Sequence, residues 1–242
     1  MLTTDLLENI KQSRKMVALT GAGISKGSGM PTFRGADGLW RNYNAQELAN
    51  PYAFDNNPEL VWSWYQWRIS KVLNVDPNPA HLALTQLEKD NRLTAVITQN
   101  VDGLHSRAGS KNLVELHGNI LRAHCTGCSH QQMWSAADFE RLPRCPDGHL
   151  LRPSVVWFGE LLDPEKIKRA QVFLQQCEVL FILGTSGIVY PAAAMPEIAK
   201  FQGALICEFN IEKTPLSALA DIFIEGSCEK TFPEFLKKLE LI

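Results

Sequence analysis

Five short apolar runs, each closing on glycine, amide or hydroxyl residues, constrain this chain more than any other feature. Met16–Thr20 runs into Gly21-Ala22-Gly23, Leu93–Thr98 into Gln99-Asn100-Val101-Asp102, and Val179–Leu183 into Gly184-Thr185-Ser186-Gly187. Residues 204–208 precede Phe209-Asn210, and residues 221–225 precede Gly226-Ser227-Cys228. Helical stretches are predicted at Pro79–Lys89, Pro164–Gln176 and 191–201. Continuous apolar runs suit strands buried on both faces, and strands alternating with helices make an α/β fold with a mostly parallel sheet. Ligands of such sheets bind beyond the carboxyl ends of the strands, where the polar residues collect here. Gly21 and Gly23 allow a tight turn and a ligand's close approach. The N–H groups of a following helix would favour an anion such as a pyrophosphate. The turn therefore implies a dinucleotide, but not an ordinary dehydrogenase. Lys26 stands where G-x-G-x-x-G has its third glycine, and no acidic residue closes a second apolar run about twenty residues on.

With 242 residues, 45% hydrophobic and 21% charged, the chain reads as soluble and globular, one domain or one domain with a small insertion. A net charge of −2 gives no broad attraction to nucleic acid or to an anionic membrane. No apolar stretch reaches the roughly 20 residues that span a bilayer. Asp5 and Glu8 mark the start of a capped helix rather than a secretory signal or an Arg-rich transit peptide, so the expected location is cytoplasmic. Six cysteines are too sparse for a disulfide scaffold; Cys177, Cys207 and Cys228 read as buried thiols. Cys125-x-x-Cys128 points instead to metal or redox chemistry.

Two segments break the strand–helix rhythm. Residues 28–78 hold no convincing strand, are rich in aromatics and carry a predicted helix at Pro58–Leu73. Residues 120–153 hold three cysteines, three histidines and several prolines. Both read as insertions that pack together as a smaller helical and metal-binding module, leaving 1–27, 79–119 and 154–242 as the dinucleotide-binding domain. Within that domain, Gln99, Asn100 and Asp102 close a strand with amides and a carboxylate, groups suited to ribose hydroxyls or a positioned water. His117 closes the run Leu113-Val114-Glu115-Leu116 and precedes Gly118. Its ordinary pKa lies near neutrality, so it is a candidate general base.

Six motifs in order, Gly21-Ala22-Gly23-Ile24-Ser25, Pro31-Thr32-Phe33-Arg34-Gly35, Thr98-Gln99-Asn100-Val101-Asp102, Leu116-His117-Gly118, Val155-Val156-Trp157-Phe158-Gly159-Glu160 and Gly184-Thr185-Ser186, span nearly the whole chain. Together they resemble the sirtuin family, the NAD-dependent protein lysine deacylases. The resemblance implies a Rossmann-like domain carrying a small zinc module, with NAD and an acyl-lysine peptide meeting between them. It places Gly21, Ala22, Gly23 and Ser25 at the NAD pyrophosphate turn, Phe33 and Arg34 in a mobile cofactor loop with Trp40 beyond, and Gln99, Asn100, Val101 and Asp102 at the nicotinamide and ribose. Gly184, Thr185, Ser186, Asn210, Ile211, Glu212 and Cys228 would hold the adenosine half. Residues 155–160 would pair their backbone with the peptide, a strand-addition mode, with Val156, Phe158 and Gly159 as its substrate-binding residues. His117, Asn100 and Asp102 would carry catalysis. NAD is then a consumed co-substrate: the acyl oxygen attacks the nicotinamide ribose, His117 acts as base on a ribose hydroxyl, and the products are nicotinamide, free lysine and O-acyl-ADP-ribose. The same cofactor pocket would also suit a mono-ADP-ribosyltransferase or a non-catalytic NAD or ADP-ribose binding module. Acylated lysines of proteins are the expected partners, with no nucleic acid and no membrane.

The chain departs from the family pattern in two places. Ser-Ala-Glu-Ser-Gly here reads Ser25-Lys26-Gly27-Ser28-Gly29. A fourth zinc cysteine is also missing, since Cys125, Cys128 and Cys145 are followed by Pro146-Asp147-Gly148-His149. A closed structural zinc site needs four ligands; His149 is the first candidate, His130 and His124 the others. On the helix at Pro58–Leu73, Tyr65 and Arg68 are three apart and share a face, while Leu60, Trp64, Trp67 and Lys71 form a stripe expected to pack on the core. Tyr65-x-x-Arg68 falls where class III members of the family carry the pair that binds a carboxylate on succinyl, malonyl or glutaryl lysine. Ala22 is small enough to fit beside a longer acyl chain.

Overall fold

The computed structural model describes residues 4–31, 45–134 and 141–242. Phe33, Arg34 and Trp40, expected at the cofactor, lie outside them. Six strands form a wholly parallel sheet: β1 (Met16–Thr20), β2 (Leu93–Thr98), β3 (Leu113–Glu115), β7 (Val179–Leu183), β8 (Leu205–Asn210) and β9 (Ile222–Glu225), in the order β3-β2-β1-β7-β8-β9. Every residue of β1 and β7 is buried, as continuous apolar runs require.

Alternate residues of the strands serve opposite cores. Met16, Ala18, Val96, Phe181 and Phe209 face α1 (Thr4–Gln12), α6 (Pro79–Lys89) and α10 (Cys228–Lys238). Val17, Leu19, Ile97, Leu180 and Ile182 face α8 (Pro164–Gln176) and α9 (Met195–Phe201). On the first face Phe181, Phe209 and Phe232 pack edge-on, with two of their ring centroid separations at 5.2 Å. The helix starts follow from side-chain caps ahead of a proline: Asn78 bonds the Ala80 amide in a capping box with His81, and Asp163 bonds the Glu165 amide.

A second, three-stranded sheet, β5-β4-β6, is built antiparallel from β4 (Gly118–Cys125), β5 (Gln131–Met133) and β6 (Leu151–Val155). It packs with α3 (Ala45–Leu48), α4 (Pro51–Asn56) and α5 (Pro58–Leu73) around a separate core that includes Trp62, Trp64, Ile69, Ile120 and Trp157. The Trp62 indole donates to the Leu151 carbonyl at 2.8 Å, which fastens α5 to β6. Of the stripe expected on α5, Trp64 is buried in this core and Leu60 and Trp67 pack against it half-buried, whereas Lys71 is exposed; Val61, Trp62, Tyr65, Arg68, Ile69 and Val72 are buried beside them. The buried positions form one broad face of the helix, wider than the expected stripe. The predicted helix 191–201 is also split, a 3₁₀ turn at Ala192–Ala194 preceding α9, with Pro196 in the first turn of the α-helix proper. The remaining short helices are α2 (Ala22–Lys26) and α7 (Leu104–Ala108).

Where β1 and β7 end, two turns touch through glycine. A Cβ on Gly23 would sit 2.7 Å from the Gly184 Cα, and one on Gly184, whose φ is +60°, would sit 2.4 Å from the Ile24 amide nitrogen. Backbone cannot swing aside as a side-chain tip can. Gly23→Ala is therefore expected to lower stability by roughly 1–3 kcal/mol through overpacking, seen as a Tm several degrees lower; an unchanged Tm would contradict this packing.

Candidate active site

One cleft of about 1730 Å³ opens over the carboxyl ends of the parallel strands, bounded on its far side by α5 and the segment after β6. The turn after β1 contributes Gly21, Ala22 and Gly23; the turn after β2 contributes Gln99, Asn100 and Val101; His117 follows β3. Gly184, Thr185 and Ser186 follow β7, Asn210, Ile211 and Glu212 end β8, and Cys228 opens α10. Topology thus gathers these sequence-predicted residues because strands that all run one way end together, on the side where α/β sheets bind ligands.

Two expectations about individual groups are refined. The amides of Gly21 and Gly23 donate to the Leu183 and Gly184 carbonyls at 3.0 and 2.8 Å, so both are engaged within the protein. The two glycines serve first to let adjacent turns touch, and α2, which follows them, is only five residues long. Ser25 and Asp102 do not line the cleft but stand directly behind it. The Ser25 hydroxyl donates to Asp102 Oδ2 at 2.7 Å and accepts from Asn100 Nδ2 at 3.0 Å. Asp102 Oδ1 accepts the Leu104 amide at 2.9 Å. Burial pushes the Asp102 carboxyl above its ordinary pKa, opposed by that amide and by the Ser25 hydroxyl. This pair therefore braces Asn100, which does reach the cleft. Thr98 adds a second brace, its hydroxyl accepting the Asn100 amide and the Thr20 hydroxyl.

The strand-end wall of the cleft is tied across strands. Gln99 Nε2 donates to the Thr185 hydroxyl at 2.9 Å, and Asn210 Nδ2 donates to the Thr185 carbonyl at 2.8 Å. Cys228 is buried, and burial pushes its thiol up to about 12, so it stays a neutral wall group.

His117 Nδ1 lies 2.9 Å from the Gln99 carbonyl. A carbonyl only accepts, so Nδ1 carries the hydrogen and Nε2 keeps its lone pair. Burial lowers the His117 pKa below its ordinary value, the Gln99 carbonyl opposing and the Lys166 charge assisting. The ring is therefore a neutral acceptor at physiological pH, as a general base must be.

On the opposite wall, Tyr65 and Arg68 both line the cleft and are 2% and 7% exposed. The Tyr65 oxygen accepts the Trp157 indole N–H at 2.8 Å, and the Arg68 guanidinium lies 5.2 Å from the centre of the Trp64 ring. Burial pushes the Arg68 pKa down, with the nearby Tyr65 and Asp102 raising it. Val156, Phe158 and Gly159 border the same cavity. The amides of Val156 and Phe158 donate to the carbonyls of His117 and Ala49, and that of Trp157 to Glu160, so these three N–H groups are engaged within the protein. Trp157 entered the sequence reading only through its backbone, and its side chain was left without a role. The available signal was a buried indole, whose N–H needs a partner.

Away from the cleft, the ligand atoms of Cys125, Cys128, Cys145 and His149 all lie within 4.8 Å of one another. A Cβ on Gly127 would fall 2.8 Å from the His149 ring, so glycine there makes room for the imidazole. Of the alternatives, His124 Nδ1 is bonded to the Ser154 hydroxyl, and His130 is outside the cluster. Three thiols and one imidazole converging in this way fit a tetrahedral zinc ion. Among the described residues, no helix is long and apolar enough to cross a membrane.

Residues 21–191 match the model of the Sir2 family. An NAD-dependent protein deacylase of Pyrococcus furiosus is 49% identical over 240 residues, covering 96% of each chain. A Sir2 homologue solved as an NAD complex superposes with a TM-score of 0.94 at 45% identity, covering 99% of this chain and 94% of that one. A Sir2 solved with a p53 peptide and NAD+ superposes with a TM-score of 0.87 at 32% identity over 100% of both chains. The chain belongs to the Sir2 family.

Proposed function

We propose that this protein is an NAD-dependent protein lysine deacylase that prefers succinyl, malonyl or glutaryl groups to acetyl, releasing nicotinamide and O-acyl-ADP-ribose. The observation that carries the reading is the convergence of a neutral histidine, two strand-end amides and a buried Tyr65–Arg68 pair on one cavity. NAD supplies a ribose carbon from which nicotinamide can leave. His117 Nε2 would accept the proton of a ribose hydroxyl, its tautomer set by the Gln99 carbonyl. Asn100, braced by Ser25 and Asp102, would orient the nicotinamide end, and Gly184, Thr185, Ser186 and Asn210 would bound the adenosine end. Tyr65 and Arg68 would take the distal carboxylate of the acyl group. In this reading residues 1–27, 79–119 and 154–242 bind the nucleotide, while 28–78 and 120–153 close the acyl and peptide side, with β4 and β6 joining the two parts.

Incubation with NAD and matched acetylated and succinylated peptides tests this. Nicotinamide release that requires the acyl peptide supports deacylation. ADP-ribosylated protein would instead indicate mono-ADP-ribosyl transfer, and binding without turnover a non-catalytic module.

For the metal, we infer one zinc ion held by Cys125, Cys128, Cys145 and His149. Protein purified without added zinc is expected to contain one equivalent, lost or greatly weakened in His149→Ala. Metal-free protein with full activity would overturn that assignment.

A further inference from the structure

We propose that Trp157 is a specificity-determining positioning residue, whose indole N–H fixes the Tyr65 hydroxyl as a hydrogen-bond donor aimed at the acyl carboxylate. The inference rests on the dicarboxylic-acyl reading above and names the device that would set it. A phenol has one O–H to donate and lone pairs to accept. Trp157 Nε1 donates to the Tyr65 oxygen at 2.8 Å, so that direction is closed to the phenol's own hydrogen. The hydrogen must then point elsewhere, and Tyr65 borders the cleft. Burial pushes the Tyr65 pKa up, so the phenol stays protonated and keeps its donor. Without the indole, the hydroxyl is free to turn, and an acyl carboxylate must compete for its orientation.

The indole is itself held from three sides. The Arg152 guanidinium carbon lies over its ring, 3.5 Å from the centre, Phe54 packs against it at 5.2 Å between centroids, and its backbone amide donates to Glu160 Oε2 at 2.8 Å. Arg152 grips both oxygens of Glu160 at 2.7 and 2.9 Å, so the bracket is closed on itself. Trp157 is 2% exposed and sits between Val156 and Phe158, which border the peptide side of the cleft. One residue therefore joins the peptide segment to the acyl pocket, and its bond to Tyr65 can act on the distal end of the acyl group through the phenol.

The test is the ratio of kcat/KM for succinylated and acetylated versions of one peptide, measured in a double-mutant cycle. Trp157→Phe, which keeps an aromatic ring but removes the N–H, is expected to lower the succinyl-to-acetyl ratio about 5-fold, mainly through the KM of the succinyl peptide. Tyr65→Phe should lower it at least as far, and adding Trp157→Phe to Tyr65→Phe should change it no further. A purely structural role would depress both substrates alike, and that outcome overturns the proposal. Should Trp157→Phe fail to fold, benzothienylalanine at 157 exchanges the N–H for sulfur and reads the same ratio. A wild type that prefers succinyl, with a ratio indifferent to these changes, overturns this inference alone. A wild type indifferent to the acyl group overturns the acyl reading and this inference together.

Discussion

His117→Ala is expected to lower deacylation by roughly 10²–10⁴-fold, the range over which a positioned general base contributes, while NAD still binds. The imidazole is bonded to the Gln99 carbonyl beside the strand-end turns of the cleft, so removing it takes away the proposed base and leaves those turns in place. The pH profile gives an independent reading. In the proposed mechanism His117 acts as the neutral ring, and burial holds its pKa below the ordinary histidine value, so wild-type activity should persist below pH 6.5 and fall only as pH drops through the depressed pKa. Near-wild-type turnover in His117→Ala, or an acid limb at or above pH 6.5, would remove this histidine from the chemistry.

The second large effect concerns acyl choice. Wild type is expected to favour a dicarboxylic acyl-lysine over acetyl-lysine, and Arg68→Met should cut that preference by about 10- to 150-fold, the span of a hydrogen bond to a charged group. A bidentate guanidinium–carboxylate pair belongs at the upper end. The geometry gives the sign: Arg68 is out of water on the cavity wall, so an arriving carboxylate meets a guanidinium that is already desolvated. Acetyl brings only a methyl group there, and Arg68→Met should spare or improve its removal. Equal loss on both acyl groups would reduce Arg68 to a packing residue.

Much of this architecture is legible in the sequence because local and tertiary signals agree. β1, β2 and β7 coincide with their predicted runs, and α5, α6 and α8 with their predicted spans, since each helix opens on an Asn or Asp cap followed by proline. β8 runs on to Asn210, beyond the predicted 208, because Phe209 is fully buried in the same core. The three-stranded sheet is not legible as strands. β5 is only three residues long and largely exposed, and Pro153 lies within β6, where a proline argues against a strand. At the site, the residue types were legible but not their depth. Nothing in the order Gln99-Asn100-Val101-Asp102 distinguishes the amides on the wall from the carboxylate behind it. That division comes from Ser25, which arrives from another strand's turn. The Trp157–Tyr65 bond joins residues 92 positions apart, which local pattern does not register.

The most direct test of the account is a product balance on a succinylated peptide with NAD. Nicotinamide, deacylated lysine and O-succinyl-ADP-ribose should appear in equal amounts, with the succinyl group recovered on the ADP-ribose. Free succinate released without nicotinamide, or nicotinamide released without deacylated lysine, would contradict it.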